Sequence, residues 1–228
     1  MKKNNRKHLW TTAKVFVLCA LILVGHNWLT SGSVSLADGD AIYVGAEKCK
    51  NCHSSPKKGD PYGMWMKEKH SKAYTVLASD EAKKLGATKN IAEPQKSDDC
   101  LKCHVAAVGV AAEKKHKKFD PTQGVQCESC HGPGSKHVEA RLKADEVEDD
   151  SKPVAIGKDE IIGSPTAETC RKCHNKQDSP NYKPFAFKKY FKQIAHLDPR
   201  KGRPADYIDK LPDDPKDDPD AAKIEFSK

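Results

Sequence analysis

Aromatic side chains are scarce: they make up 7% of the 228 residues, and apolar residues of all kinds only 37%. So small a supply excludes a large conventional core in a domain of this length. Long apolar runs are scarcer still. One lies near the N-terminus, and no second span of the roughly 18 apolar residues needed to cross a membrane follows it. Basic residues are not interleaved with aromatics and no nucleic-acid motif is present, so nucleic-acid binding is excluded as a function class. Charge, by contrast, is abundant: 40 Lys and Arg face 32 Asp and Glu, for a formal net charge of +8.

Part of that positive charge belongs to the first residues. Lys2, Lys3, Arg6 and Lys7 form a basic start, Ala13 to Val24 is apolar apart from Lys14, and Ser35-Leu36-Ala37 offers small residues for cleavage. This order reads as a signal peptide over residues 1–37, with Asp38 as the first mature residue. An uncleaved anchor is the competing reading, but the apolar run is short for a transmembrane helix. Cys19 lies in this segment after Leu18, where a lipid-attachment motif wants a small residue. The mature chain is therefore expected to be periplasmic or secreted, with no stable membrane span.

Nine cysteines are present, and eight of them follow one pattern. Cys49-Lys50-Asn51-Cys52-His53, Cys100-Leu101-Lys102-Cys103-His104, Cys127-Glu128-Ser129-Cys130-His131 and Cys170-Arg171-Lys172-Cys173-His174 are four copies of Cys-x-x-Cys-His. The pattern is the attachment site of c-type haem. Two thiols add to the haem vinyl groups, and the adjoining imidazole ligates iron from the same face. Zinc would need only the thiolates and gives no reason for a histidine after every pair. Disulfides would not demand the regular spacing. Four covalent haems are expected, with His53, His104, His131 and His174 as proximal ligands. Electron transfer becomes the leading function. The shortage of core residues then makes sense, because porphyrin faces would supply the core. Haem propionates would add about two negative charges each, bringing the loaded protein near neutrality with local lysine patches. Those patches are either solvated or docking points for acidic redox partners.

A haem iron ligated on both faces only passes electrons, whereas an open face binds small molecules. Outside the motifs and the signal segment four histidines remain: His70, His116, His137 and His196. They suffice for complete bis-histidine ligation. A helix is expected from about Met64 to Ala78, with Met66, His70, Ala73, Tyr74 and Leu77 on one face. His70 on that apolar face is a ligand candidate, with a buried structural histidine as the alternative. His137 follows the Gly132-Pro133-Gly134 break, on a charged helix from about Ser135 to Val147. His196 ends a helix from about Pro184 whose apolar stripe is Phe187, Tyr190, Phe191, Ile194 and Leu197, and it lies off the centre of that stripe. His116 stands in Lys114-Lys115-His116-Lys117-Lys118, where solvation is the ordinary explanation and ligation the alternative. Met64 and Met66 read as packing residues rather than thioether ligands.

The order of these elements resembles the tetrahaem cytochrome c-554 family. The resemblance rests on Lys69-His70-Ser71-Lys72-Ala73 after the first motif, on Cys100 to Val105, on Gly124 to Gly134 around the third motif, and on the fourth motif with a late His196. It spans most of Gly45 to His196. The family comprises electron carriers paired with hydroxylamine oxidoreductase in ammonia oxidisers, with relatives in many anaerobes. The resemblance implies a haem-cored fold, mainly α with extensive loops and little or no sheet, with closely packed haem pairs. It implies His70, His137 and His196 as distal ligands, and a haem on His104 that can lack one. The chain departs where the family has a glycine-rich stretch: here Val105 to Val110 precede His116. That departure leaves open whether His116 fills the site.

The expected organisation is a signal peptide over 1–37, a tetrahaem domain over 38–198 and a polar, extended or partly disordered tail over 199–228. The four motifs are unequally spaced, which argues against a structural repeat. The leading function is a carrier between a redox donor and an acceptor protein. Two alternatives stand beside it. An open haem on His104 would reduce nitric oxide or a related nitrogen compound, although no acid–base pair stands near that motif. Alternatively, stacked subunits would form an extracellular haem filament, and an oligomer is permitted.

Overall fold

The computed structural model describes residues 41–144, 152–157 and 159–226. The expected signal segment and Cys19 lie outside the described residues, as do Glu146 and Val147 at the end of the expected 135–147 helix. Among the described residues there are short helices, loops and no strands. A single parallel bridge joins Tyr43 to Lys115.

Three motifs close a helix of their own. α1 (Ala46–His53), α5 (Asp98–His104) and α6 (Cys127–His131) each end on the motif histidine. One helical turn sets side chains at i, i+3 and i+4 on one face, which brings both thiols and the imidazole to the same side. The fourth motif begins in α8 (Ala167–Arg171), which opens with a capping box between Thr166 and Thr169.

The helix expected over 64–78 is broken. α2 (Pro61–Lys67) stops at Glu68, whose backbone is extended; a 3₁₀ turn covers Lys69–Lys72, and α3 (Ala73–Val76) follows. Tertiary bonding explains the interruption. The His70 carbonyl accepts the Val125 amide at 2.9 Å, and Trp65 Nε1 donates to the Val125 carbonyl at 2.8 Å. Gly124 makes the approach possible. Its φ is +77°, and a Cβ there would stand 2.6 Å from the His70 carbonyl oxygen. The single apolar face is therefore lost: Leu77 is buried while Met66 is 48% exposed.

α4 (Asp80–Ala87) is capped by the Ser79 hydroxyl, which accepts from the Ala82 amide. α7 (Ser135–Ala144) carries His137. α9 (Phe187–Ile194) is shorter than the expected 184–196 helix, because Ala186 and Ala195 are both extended. His196 thus lies beyond the helix, which is why it sits off the apolar stripe.

The segment after Pro199 differs from the expected loose tail. Asp198-Pro199 and Asp218-Pro219 each start a 3₁₀ turn, with the aspartate accepting an amide two residues on. Proline presets φ at the first position and its missing N–H costs nothing there. Ile208 and Ala221 are buried, and the Asp218 amide donates to the Phe185 carbonyl at 2.8 Å. Arg171 grips Asp214 at 2.8 Å and Asp217 at 2.9 Å.

The protein's own core is thin. The buried apolar residues are small or isolated, among them Val44, Ala46, Leu77, Ala106 and Ala167, with Phe185 the largest fully buried side chain. A cavity of about 1020 Å³ lies among His70, His104, His174, Cys100, Cys103 and Cys173.

Candidate functional site

The histidines of the motifs meet the histidines outside them in pairs. His53 and His137 have ring centres 6.1 Å apart, His70 and His174 6.2 Å, and His131 and His196 6.0 Å. With metal–nitrogen bonds of about 2.0 Å, two imidazoles on opposite sides of one ion have ring centres about 6 Å apart. All three pairs therefore fit a shared iron. Each combines a motif histidine with one from elsewhere in the chain.

Hydrogen bonds at Nδ1 orient these rings. His131 Nδ1 lies 2.6 Å from the Ile162 carbonyl, His196 Nδ1 3.1 Å from the Ile194 carbonyl, and His104 Nδ1 2.7 Å from the Ala73 carbonyl. An imidazole that donates from Nδ1 leaves Nε2 as the metal-binding nitrogen. His137 differs: its Nδ1 faces a carboxylate, Glu160 Oε2, at 3.2 Å. Burial holds His53 down to about 4, helped by the neighbouring histidines, and lowers His70, His131 and His174 as well. The neutral form favoured by that burial is the one an imidazole needs to ligate iron.

His104 joins no such pair among the described residues. His116 is exposed, its ring Nδ1 accepts the Lys118 amide at 3.2 Å, and its backbone amide donates to the Tyr43 carbonyl at 2.8 Å. The lysine cluster around it is thus anchored through the backbone at the Tyr43 bridge.

The motifs also meet one another. Glu128 and Gln126 take the amides at the start of α1. The Cys173 thiol donates to the Lys102 carbonyl at 4.0 Å, beside the Lys102–Asp178 ion pair at 2.7 Å. The neighbouring Cys127 thiol and burial push the Cys49 thiol up, and the neighbouring Cys173 holds Cys103 down to about 7. The first motif therefore stands against the third, and the second against the fourth. None of the eight cysteines forms a disulfide, and no group of three or more metal-binding side chains gathers among the described residues. Closed zinc sites of the kind built from Cys and His are not formed by this arrangement.

Several residues around the site carried no signal in the sequence. Glu128, inside the third motif, is 2% exposed and accepts the amides of Val44 and Gly45 at 2.8 Å and of Gly134 at 2.7 Å. Burial pushes its carboxyl up, against the pull of those three amides. Gln126 is 1% exposed, accepts the Ala46 amide and donates to the Asp120 carbonyl. Together they tie the start of α1 to α6 and to the turn that leads into α7. Phe185 stacks on His174 at 5.3 Å and 19°, and Arg171 lies over the Phe185 ring. Glu128 and Arg171 lie within motifs and Gln126 beside one, but the contacts that give them these roles reach segments distant in the chain.

Residues 48–132 match the family model described as "Cytochrome c554 and c-prime". That segment holds the first three motifs, His70 and His116. The chain is also similar to "Cytochrome c-554" from Nitrosomonas europaea, at 34% identity over 125 residues, which is 53% of this chain and 50% of that protein. The chain thus spans about half the length of the curated relative it matches. No solved structure matches.

Proposed function

We propose, from the membership of residues 48–132 in the cytochrome c554 and c-prime family, that this protein is a tetrahaem c-type cytochrome that carries electrons between redox proteins outside the cytoplasm. The observation that carries the reading is the set of three histidine pairs with ring centres 6.0 to 6.2 Å apart. Cys49 and Cys52, Cys100 and Cys103, Cys127 and Cys130, and Cys170 and Cys173 would hold the four haems. His53, His104, His131 and His174 would be the motif ligands. His137 would share an iron with His53, His70 with His174, and His196 with His131. Bound haem supplies one-electron exchange at its iron.

The chain's own residues position and insulate those groups. Carbonyls of Ala73, Ile162 and Ile194 fix ring orientation, and Glu128 and Gln126 hold the first and third motifs together. The hydrogen bonds between motifs support packing as two haem pairs, first with third and second with fourth. No helix among the described residues is long and apolar enough to cross a membrane. The periplasmic or secreted location rests on the expected signal peptide.

One observation favours a second reading. Among the described residues His104 meets no second imidazole, so its haem would keep an open face for a small ligand such as nitric oxide, and reduction of that ligand is the alternative activity. His116, exposed and engaged by Lys118, is not proposed as the missing ligand. Electron paramagnetic resonance of the ferric holoprotein tests both points. Three low-spin haems and one high-spin haem, the latter abolished by nitric oxide, are expected. Four low-spin haems indifferent to nitric oxide would overturn the open site and return His116 to the ligand set. Turnover of nitric oxide by the reduced protein would then separate enzyme from carrier.

A further inference from the structure

The four histidines whose Nδ1 faces an oxygen are not equivalent. His104, His131 and His196 meet neutral backbone carbonyls, while His137 meets the carboxylate of Glu160 at 3.2 Å. Glu160 is held firmly. Arg141 Nη2 donates to both of its oxygens at 3.0 Å, and the Gly157 amide donates to Oε1 at 2.7 Å. The side chains of His137, Glu160 and Arg141 are only 16%, 17% and 19% exposed, so water screens the contact weakly. Arg141 and His137 lie one helical turn apart on α7, and Glu160 is clamped across both. Among the described residues, the charged and titratable groups facing this imidazole include one carboxylate, its bracing guanidinium and the neighbouring His53 ring.

A carboxylate at Nδ1–H draws the proton toward itself and makes Nε2 a stronger donor to iron. A stronger donor stabilises ferric over ferrous iron, and second-shell bonding is one of the levers that sets haem potential. We propose that Glu160 is a positioning residue that depresses the reduction potential of the haem held by His53 and His137, so that within its pair an electron resides on the haem held by His131 and His196. The inference rests on the ligand assignment above. The transfer it describes is a single electron, leaving one iron ferrous and the other ferric with no bond made or broken. The external donor is a redox protein, or dithionite in the test.

The experiment is a spectroscopically monitored redox titration of the holoprotein, reduced with dithionite, in four forms. Glu160→Gln keeps the shape but removes the charge; one midpoint potential of four should move upward while the low-spin count stays the same. Arg141→Gln removes the bracing cation and leaves the carboxylate on the imidazole; the same potential should move downward. General loosening of α7 would not move the two variants in opposite directions. His137→Ala should turn one low-spin haem high-spin, and the potential that it changes identifies the haem. If His137→Ala leaves the number of low-spin haems as it is in the parent, the ligand assignment fails. If it converts one haem but Glu160→Gln leaves all four potentials in place, the assignment stands and the role of Glu160 is overturned.

Discussion

At the scale of single residues, the polar groups that hold the motifs are buried and saturated. Glu128 takes three backbone amides from two separate segments, Val44-Gly45 and Gly134. Those segments lead into α1 with His53 and α7 with His137, the two halves of one ring pair. A carboxylate has lone pairs for all three donors, whereas an amide presents an NH₂ to one of them. Glu128→Gln should therefore destabilise the fold by about 1–3 kcal/mol, the usual cost of an unsatisfied buried donor. Chemical denaturation of the holoprotein would measure it, and an unchanged midpoint would mean that water or a backbone shift satisfies the orphaned amide. Residue-level chemistry was partly legible in the sequence. The four Cys-x-x-Cys-His motifs stand out in the sequence because the pattern needs contiguous residues in fixed order. Glu160 does not, because its role comes from a contact with His137 across 23 positions.

At the scale of elements, much of the local order comes from Asp-Pro pairs rather than from apolar periodicity. Asp60, Asp120, Asp198 and Asp218 each precede a proline and accept an amide of the turn that follows. Composition alone made the last segment look disordered, since aspartate, lysine and proline form no apolar stripe. The same residues build capped turns that present Asp214 and Asp217 to Arg171. His70 shows the converse. Its selection from a helical stripe pointed to a residue that does meet His174, but the stripe belongs to a broken helix whose geometry is set by Val125. His196 escaped periodicity because its helix ends at Ile194. The Arg171 latch gives a test at this scale. The hydrogen bond from Arg171 holds the Asp214 carboxyl below its ordinary value, and the Asp220 amide first, then Lys176, does so for Asp218. A depressed carboxylate stabilises the folded state above its unfolded pKa, and that contribution disappears as pH falls through the folded value. Hydrogen-exchange protection over residues 206–222, taken relative to the unfolded chain at each pH, should therefore stay high from about pH 5 to 8 and fall below about pH 4. Arg171→Lys, which loses the two-pronged geometry, should lower it at neutral pH. Equal protection in the variant and the parent at pH 7 would show that Ile208 and Ala221 dock the segment unaided.

At the scale of the whole molecule, the balance between core and chain is the governing fact. The buried apolar set among the described residues contains Phe185 and Tyr62 as its only aromatics, while a cavity of about 1020 Å³ is lined by residues of the second and fourth motifs. Covering that space with porphyrin would remove apolar surface from water on both the ligand and its lining. At about 25 cal/mol per Å², each 400 Å² or so of apolar area contributes about 10 kcal/mol. A domain's net stability is only about 5–15 kcal/mol, so burial on that scale is large enough to decide whether the chain folds. Shortage of aromatics and surplus of charge then have one cause: the polypeptide acts as a frame for an interior that it does not itself supply. The consequence is graded, because the motifs meet in pairs. Replacing Cys170 and Cys173 by Ala should leave the first and third motifs folded through Glu128 and Gln126. It should loosen the half of the molecule where Phe185, Tyr190 and the 199–226 segment gather around His174. Replacing all eight motif cysteines should abolish the cooperative fold. Circular dichroism and limited proteolysis would separate these outcomes. A haem-free chain that kept native helix content and resisted protease would mean that the small buried set is sufficient, and that the haems are cargo rather than core.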